Sequence, residues 1–124
     1  MLLRYLAEAG TAAPRSLGAA VAVSVPYDLA AAARMLEAGG MGRFYTRYFL
    51  KSLRAKVRAK RALLESAVDV ERVLTARTLR DYDEAATAPL HGFRDAADYY
   101  KQASSGPVLG NVRVPTLLLS LIHI

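Results

Sequence analysis

Ala19-Ala20-Val21-Ala22-Val23-Ser24-Val25, closed by Pro26, decides the fold class. The stretch is short, rich in β-branched residues and free of charge. A strand with one wet face alternates apolar and polar residues. This one does not, so it reads as a strand of a parallel sheet, apolar on both faces. Val112-Arg113-Val114-Pro115-Thr116-Leu117-Leu118-Leu119 reads as a second buried strand, entered from turns at Gly106-Pro107 and Gly110-Asn111. Pro115 stands near its start, where a missing ladder donor is tolerated. Everything between the two strands reads as helix or turn, so the expected class is α/β.

Working outward, Leu2, Leu3 and Leu6 fall at helical spacing, with Tyr5 beside them and Gly10 as a stop. After Pro26, Asp28 is placed to cap a helix from Leu29 to Ala38. A carboxylate just beyond a strand's carboxyl end could instead be catalytic, because ligands of open α/β sheets bind there. Capping is the commoner role of Asp at a helix start. Gly39-Gly40-Met41-Gly42 reads as a turn ending that helix, and it lacks the Lys-Ser or Lys-Thr pair of a phosphate loop. Arg43 to Leu64 then reads as one long helix. Tyr45, Phe49, Leu53 and Val57 step by four along one face, and Lys51, Arg54, Arg58 and Arg61 form another line. Asp69 is placed to cap a further short helix reaching Arg80.

Asp81 to Ser105 is the least generic segment. It gathers acids, His91, Pro89, Gly92 and four aromatic residues. Pro89 disfavours helix at Ala88, Gly92 permits a sharp turn, and Asp95 and Asp98 suit the start of a helix toward Ala103. Asp81, Asp83 and Glu84 could serve acid–base chemistry or simply sit at a helix end, the commoner case. His91 could shuttle a proton or tie down a tight loop, and no nucleophile accompanies it.

Composition narrows the function further. With 53% hydrophobic residues among 124 the chain can bury the core of one small domain. It has no Cys and only His91 and His123, which leaves neither disulfides nor the usual zinc ligands. No cofactor or metal is expected. Arg4 and Glu8 interrupt the apolar start, so it is not a signal peptide, and no apolar run would span a bilayer. The expected location is cytoplasmic. The net charge of +6 is concentrated: eight basic residues and no acid lie between Arg43 and Arg61, and the remainder is slightly acidic. A solvated helix face is the ordinary meaning of such a run. A rival reading is a small basic helical module that uses residues 43–61 on an anionic membrane surface or on nucleic acid. No DNA-binding motif accompanies the charge, so no specific nucleic-acid partner is expected.

Several phrases carry a resemblance. They are Met-Leu-Leu-Arg-Tyr-Leu-Ala-Glu from Met1, Ser-Val-Pro-Tyr-Asp-Leu from Ser24, Phe-Tyr-Thr-Arg-Tyr-Phe-Leu from Phe44, Asp-Tyr-Asp from Asp81, Thr-Ala-Pro-Leu-His-Gly-Phe from Thr87, Asp-Tyr-Tyr from Asp98 and Arg-Val-Pro-Thr-Leu from Arg113. In order and spacing the chain resembles the YheT-like branch of the α/β-hydrolase superfamily from Met1 to about Leu119. The resemblance implies a serine hydrolase acting on small carboxylic esters, with a Gly-x-Ser-x-Gly elbow before Met1 and the Asp and His of its triad after Leu119. Residues 1–118 would then be the middle of one domain: a partial α/β-hydrolase fold of two core parallel strands plus a helical cap-like insertion over about 29–105. No catalytic residue is placed on this sequence. Tyr27, His91 and Phe93 are the expected pocket-lining residues. Leu-Ser-Leu-Ile-His-Ile, residues 119–124, matches the translation of a sequencing adapter and reads as an assembly artefact, so His123 is not taken for a catalytic histidine. Nothing in the sequence sets an oligomeric state.

Overall fold

A computed structural model describes residues 2–119 of the chain. Residues 120–124, with His123 and most of the suspected adapter, lie outside the described residues. In chain order the elements are α1 (Leu2–Ala9), β1 (Ala20–Val23), α2 (Leu29–Glu37), α3 (Gly39–Ala59), α4 (Arg61–Leu64), α5 (Val70–Thr75), α6 (Leu79–Tyr82), a π-helical turn (Asp83–Thr87), α7 (Ala88–Leu90), α8 (Ala96–Ala103) and β2 (Thr116–Leu119). Short 3-10 turns at Gly10–Ala12 and Gly106–Asn111 complete the set. The chain is mostly helical with two parallel strands in an open sheet, an α/β arrangement, and it divides into two compact units.

The first unit comprises residues 1–29 and 103–124. Its strands pair in parallel, Ala20 with Thr116 through Val23 with Leu119. Pro115 supplies only a carbonyl, which accepts from the Ala20 N–H at 2.9 Å. Leu3, Leu6 and Ala7 of α1 are buried, with Ala22 and Val114. The expectation that both strands are buried on both faces is not met here. Val21 (54% exposed) and Leu117 (55% exposed) face solvent as a register pair, because among the described residues the sheet has only two strands.

The second unit, Ala30–Gln102, is helical. Val57, Val70, Val73, Ala85 and Ala86 form its core, with Leu64, Val68, Leu74 and Tyr82 packed around them. Asp69 caps α5 as expected, its carboxylate accepting the Arg72 N–H at 3.1 Å. Thr78 and Asp81 form a reciprocal capping box on α6.

Several boundaries differ from expectation, and the helix expected to reach Arg80 ends at Thr75, with α6 starting afresh at Leu79. The glycines do not form a turn outside the helix: Gly39 sits at φ 71° and opens α3, which takes in Gly40 and Gly42. The long helix breaks at Lys60, whose φ of −112° is not helical. Helix also continues across Ala88–Pro89. The wide π turn at Asp83–Thr87 absorbs the disruption that Pro89 would bring to a regular α-helix.

The buried stripe of α3 also differs. Tyr45 and Phe49 are exposed, and Thr46 and Leu50, one residue further along, are buried in their place, while Val57 is buried as expected and Leu53 partly so. Gly42 allows α2 and α3 to meet. A Cβ there would lie 2.7 Å from the Leu36 carbonyl oxygen, which also accepts the Thr46 hydroxyl at 3.0 Å. Ala would gain about 1 kcal/mol of helix propensity at this position. The backbone clash outweighs it, so Gly42→Ala is expected to destabilise the unit by about 1–3 kcal/mol in chemical denaturation. An unchanged or raised midpoint would show that α2 and α3 can separate freely.

Candidate functional site

Strands that run in parallel end on the same edge, and open α/β sheets bind ligands beyond their carboxyl ends. In the first unit that edge is Ser24 to Tyr27. Ser24 has φ 50°, a left-handed conformation that costs a non-glycine residue roughly 1–2 kcal/mol. Its N–H donates to the Leu119 carbonyl at 2.7 Å, which extends the ladder one residue past β1 and holds the turn. Such strain is common at functional sites. Sequence reading did not single out Ser24; a polar residue between the strand and Pro26 was the available signal.

Tyr27, an expected lining residue, is half-buried in this turn. Its carbonyl accepts the Gly106 N–H at 3.0 Å, and a Cβ on Gly106 would press to 3.1 Å from the same oxygen. Ser104 braces the region from the other side. Its hydroxyl accepts the Leu29 N–H at 3.0 Å, and its carbonyl accepts from the Arg4 guanidinium at 3.5 Å. Ser105 is buried with no hydrogen-bond partner for its hydroxyl. Asp28 is exposed.

The segment from Asp81 onward lies mostly in the second unit, and its acids are committed to local structure. Asp81 accepts the N–H groups of Arg77 and Thr78. Burial pushes its carboxyl upward, but these two bonds, with the Thr78 hydroxyl and the Arg72 charge, outweigh it and hold the group below the usual carboxylate range. Asp83 accepts from the Thr87 hydroxyl at 2.6 Å and the Tyr100 hydroxyl at 2.8 Å. Glu84 reaches across to the Ala96 N–H at 2.7 Å, the first of α8. Asp95 takes the Asp98 N–H at 2.7 Å, and Asp98 takes the Arg94 N–H and the Gln102 amide. The Asp98 N–H lowers the Asp95 carboxyl, and the Gln102 amide lowers that of Asp98. Asp81, Asp95 and Asp98 thus accept hydrogen bonds that favour their charged forms, which is the chemistry of helix ends.

His91 follows α7, exposed, with its N–H on the Thr87 and Ala88 carbonyls. Gly92, at φ 75°, makes the turn that returns Phe93, whose N–H donates to Ala88 at 2.9 Å. The Phe93 ring packs 5.3 Å from Tyr99, and Tyr99 lies 5.4 Å from Tyr100. His91 and Phe93 are therefore neighbours in one turn, while Tyr27 belongs to the other unit.

On α3, Phe44, Tyr45, Tyr48 and Phe49 are exposed and touch one another with ring centroids 5.8 to 6.4 Å apart. Among the described residues no group of His, Asp and Glu could hold a metal ion, and no helix is long and apolar enough to cross a membrane.

Known proteins resemble the chain over nearly its whole length. YheT of Escherichia coli (strain K12), whose name places it provisionally among esterases, is 36% identical over 121 residues, 96% of this chain and 35% of its own length. Phospholipase ABHD3 of Homo sapiens is 31% identical over 120 residues, 97% of this chain and 29% of its own. A monoacylglycerol lipase of Saccharomyces cerevisiae is 34% identical over 106 residues, 81% of this chain and 24% of its own. No family model and no solved structure matches the chain. The chain spans about a third of the length of the curated relatives it matches. Esterases, lipases and an abhydrolase-domain protein align to the same residues, and these carry two parallel strands joined through helices. The chain belongs to the α/β-hydrolase superfamily, on its YheT-like branch.

Proposed function

We propose that the chain is part of a serine hydrolase of small carboxylic esters whose Ser-Asp-His triad lies outside residues 1–124. The observation that carries this reading is the similarity to relatives named esterase, phospholipase and lipase, extending over 81–97% of the chain. Two features within the chain support it. No Gly-x-Ser-x-Gly occurs among the 124 residues, so no strained elbow can present a nucleophile. The acids that could orient a histidine are engaged with helix N–H groups and hydroxyls. Nucleophile, base and orienter act as a unit, so without them the 124 residues alone hydrolyse no ester.

In this reading the chain supplies binding surface. Tyr27, beyond the carboxyl end of β1, and, in the other unit, the His91–Phe93 turn are its substrate-contact residues. The test uses the full-length product of the gene and p-nitrophenyl esters of graded acyl length. Hydrolysis abolished by a fluorophosphonate is expected, and a product with no esterase activity would reject the reading. Tyr27→Ala and Phe93→Ala are each expected to shift the short-to-long-chain ratio of kcat/KM by roughly tenfold. An acyl-length profile identical to wild type would remove these residues from substrate contact.

A further inference from the structure

The Ala30–Gln102 unit contains an open hollow of about 550 Å3. Leu36 and Leu50 give it an apolar floor. Its charged lining is four arginines against one acid: Arg43, Arg47 and Arg54 of α3, Arg77 just before α6, and Glu37. The spacing of 43, 47 and 54, with Leu50 between, keeps three guanidinium groups on one face of a single helix. Among the described residues none of the four arginines pairs with a carboxylate; the ion pairs lie at Arg4, Arg61 and Arg94. Arg54 is fixed by a bond from its Nη2 to the Ala76 carbonyl, yet its Nε–H is buried with no acceptor.

A buried N–H without an acceptor is rare in a folded protein. A concave wall carrying one sign of charge also focuses the field and concentrates counter-ions. Here a net positive wall, four arginines against Glu37, and the Arg54 Nε–H without an acceptor belong to one lining. We propose that this hollow is an oxyanion site that takes the phosphate group of a phosphate ester. The guanidinium fork matches phosphate oxygens in a bidentate way that a lysine cluster would not. A phosphate also brings about two negative charges and three strong acceptor oxygens, which suits several arginines lining one hollow better than a single carboxylate does. The phosphate could belong to a soluble ester or to a lipid headgroup. The site involves no bond cleavage and stands whether or not the parent protein is an ester hydrolase.

The test uses the full-length gene product, with glycerol 3-phosphate followed by calorimetry and vesicles of phosphatidylcholine doped with phosphatidic acid followed by co-sedimentation. Arg43 and Arg47 are exposed, so the double variant Arg43→Gln/Arg47→Gln leaves the core intact. Arg58→Gln, exposed on the same helix but outside the hollow lining, controls for loss of charge alone. Saturable binding of glycerol 3-phosphate that weakens roughly tenfold in the double variant and not in Arg58→Gln supports the site with a soluble ligand. The same pattern seen only on vesicles supports it with a lipid headgroup. In either case the Arg54 Nε–H resonance of the unmutated protein should move on titration. Absence of binding to both probes, or equal loss in Arg58→Gln, would overturn the proposal.

Discussion

The 124-residue chain on its own is expected to self-associate, running in analytical ultracentrifugation as species larger than a monomer. The cause is the two-stranded sheet. Parallel sheets ordinarily have both faces covered, and each strand of this two-stranded sheet has an outer edge of unpaired ladder groups. Val21, Val23, Leu117, Leu118 and Leu119 are all exposed. Fully burying a side chain of this kind is worth about 1.5–3 kcal/mol, so association through this patch recovers several times that. Val21 and Leu117 are register partners, so Val21→Glu with Leu117→Lys places a cross-strand charge pair on the sticky face without opening the ladder. That variant should shift the distribution toward monomer. A wild-type chain that is monomeric and melts in one sharp transition would contradict this account of the sheet.

Asp83→Ala should cost the helical unit about 2–4 kcal/mol, because it withdraws the acceptor of two hydroxyl donors at once. Tyr100 is 5% exposed and reaches Asp83 from α8; Thr87 reaches it from within the π turn. Together they tie α8 to the wide turn. Asp83→Asn keeps one acceptor oxygen and should lose less. A change within about 0.5 kcal/mol for Asp83→Ala, typical of a surface site, would show that the network contributes little.

The same network predicts an alkaline signature. Burial, and then donation to the Asp83 carboxylate, hold the Tyr100 phenol well above its ordinary value of 10.0. A pKa raised in the folded state gives stability that is intact below the unfolded value and lost as pH rises from about 10 toward the folded value. Tyrosinate absorbance should therefore show a late-titrating phenol that disappears in Tyr100→Phe. Tyr82 and Tyr99 are also raised, by burial first and then by the Asp83 charge, and should remain late in that variant.

Local signals in the sequence served well where the cause is local. Asp69 and Asp95 could be read as caps because a carboxylate before a helix has few other uses, and both accept the N–H three residues on. Both strands were legible from their apolar runs. Signals set by tertiary packing were not. Tyr45 and Phe49 have the spacing of a core stripe, yet Thr46 and Leu50 are the residues buried there, Thr46 donating its hydroxyl to the Leu36 carbonyl at the end of α2. The π turn was hidden because Pro89 reads as a helix breaker, and only the wider turn before it lets the helix continue. Ser104 caps the first N–H of α2 from 75 residues away, a partner that no sequence window contains. The arginine hollow follows from the same limit. Arg43, Arg47 and Arg54 read only as members of the solvated basic run 43–61, and Arg77 and the end of α2, distant in sequence, line the same hollow.

The most direct test of the central claim is to label the full-length gene product with a fluorophosphonate probe and map the modified peptide. The account predicts a single labelled serine in a Gly-x-Ser-x-Gly peptide that precedes Met1, with residues 1–119 unmodified. Label on a serine within residues 1–119, Ser24 on its strained turn above all, would contradict it.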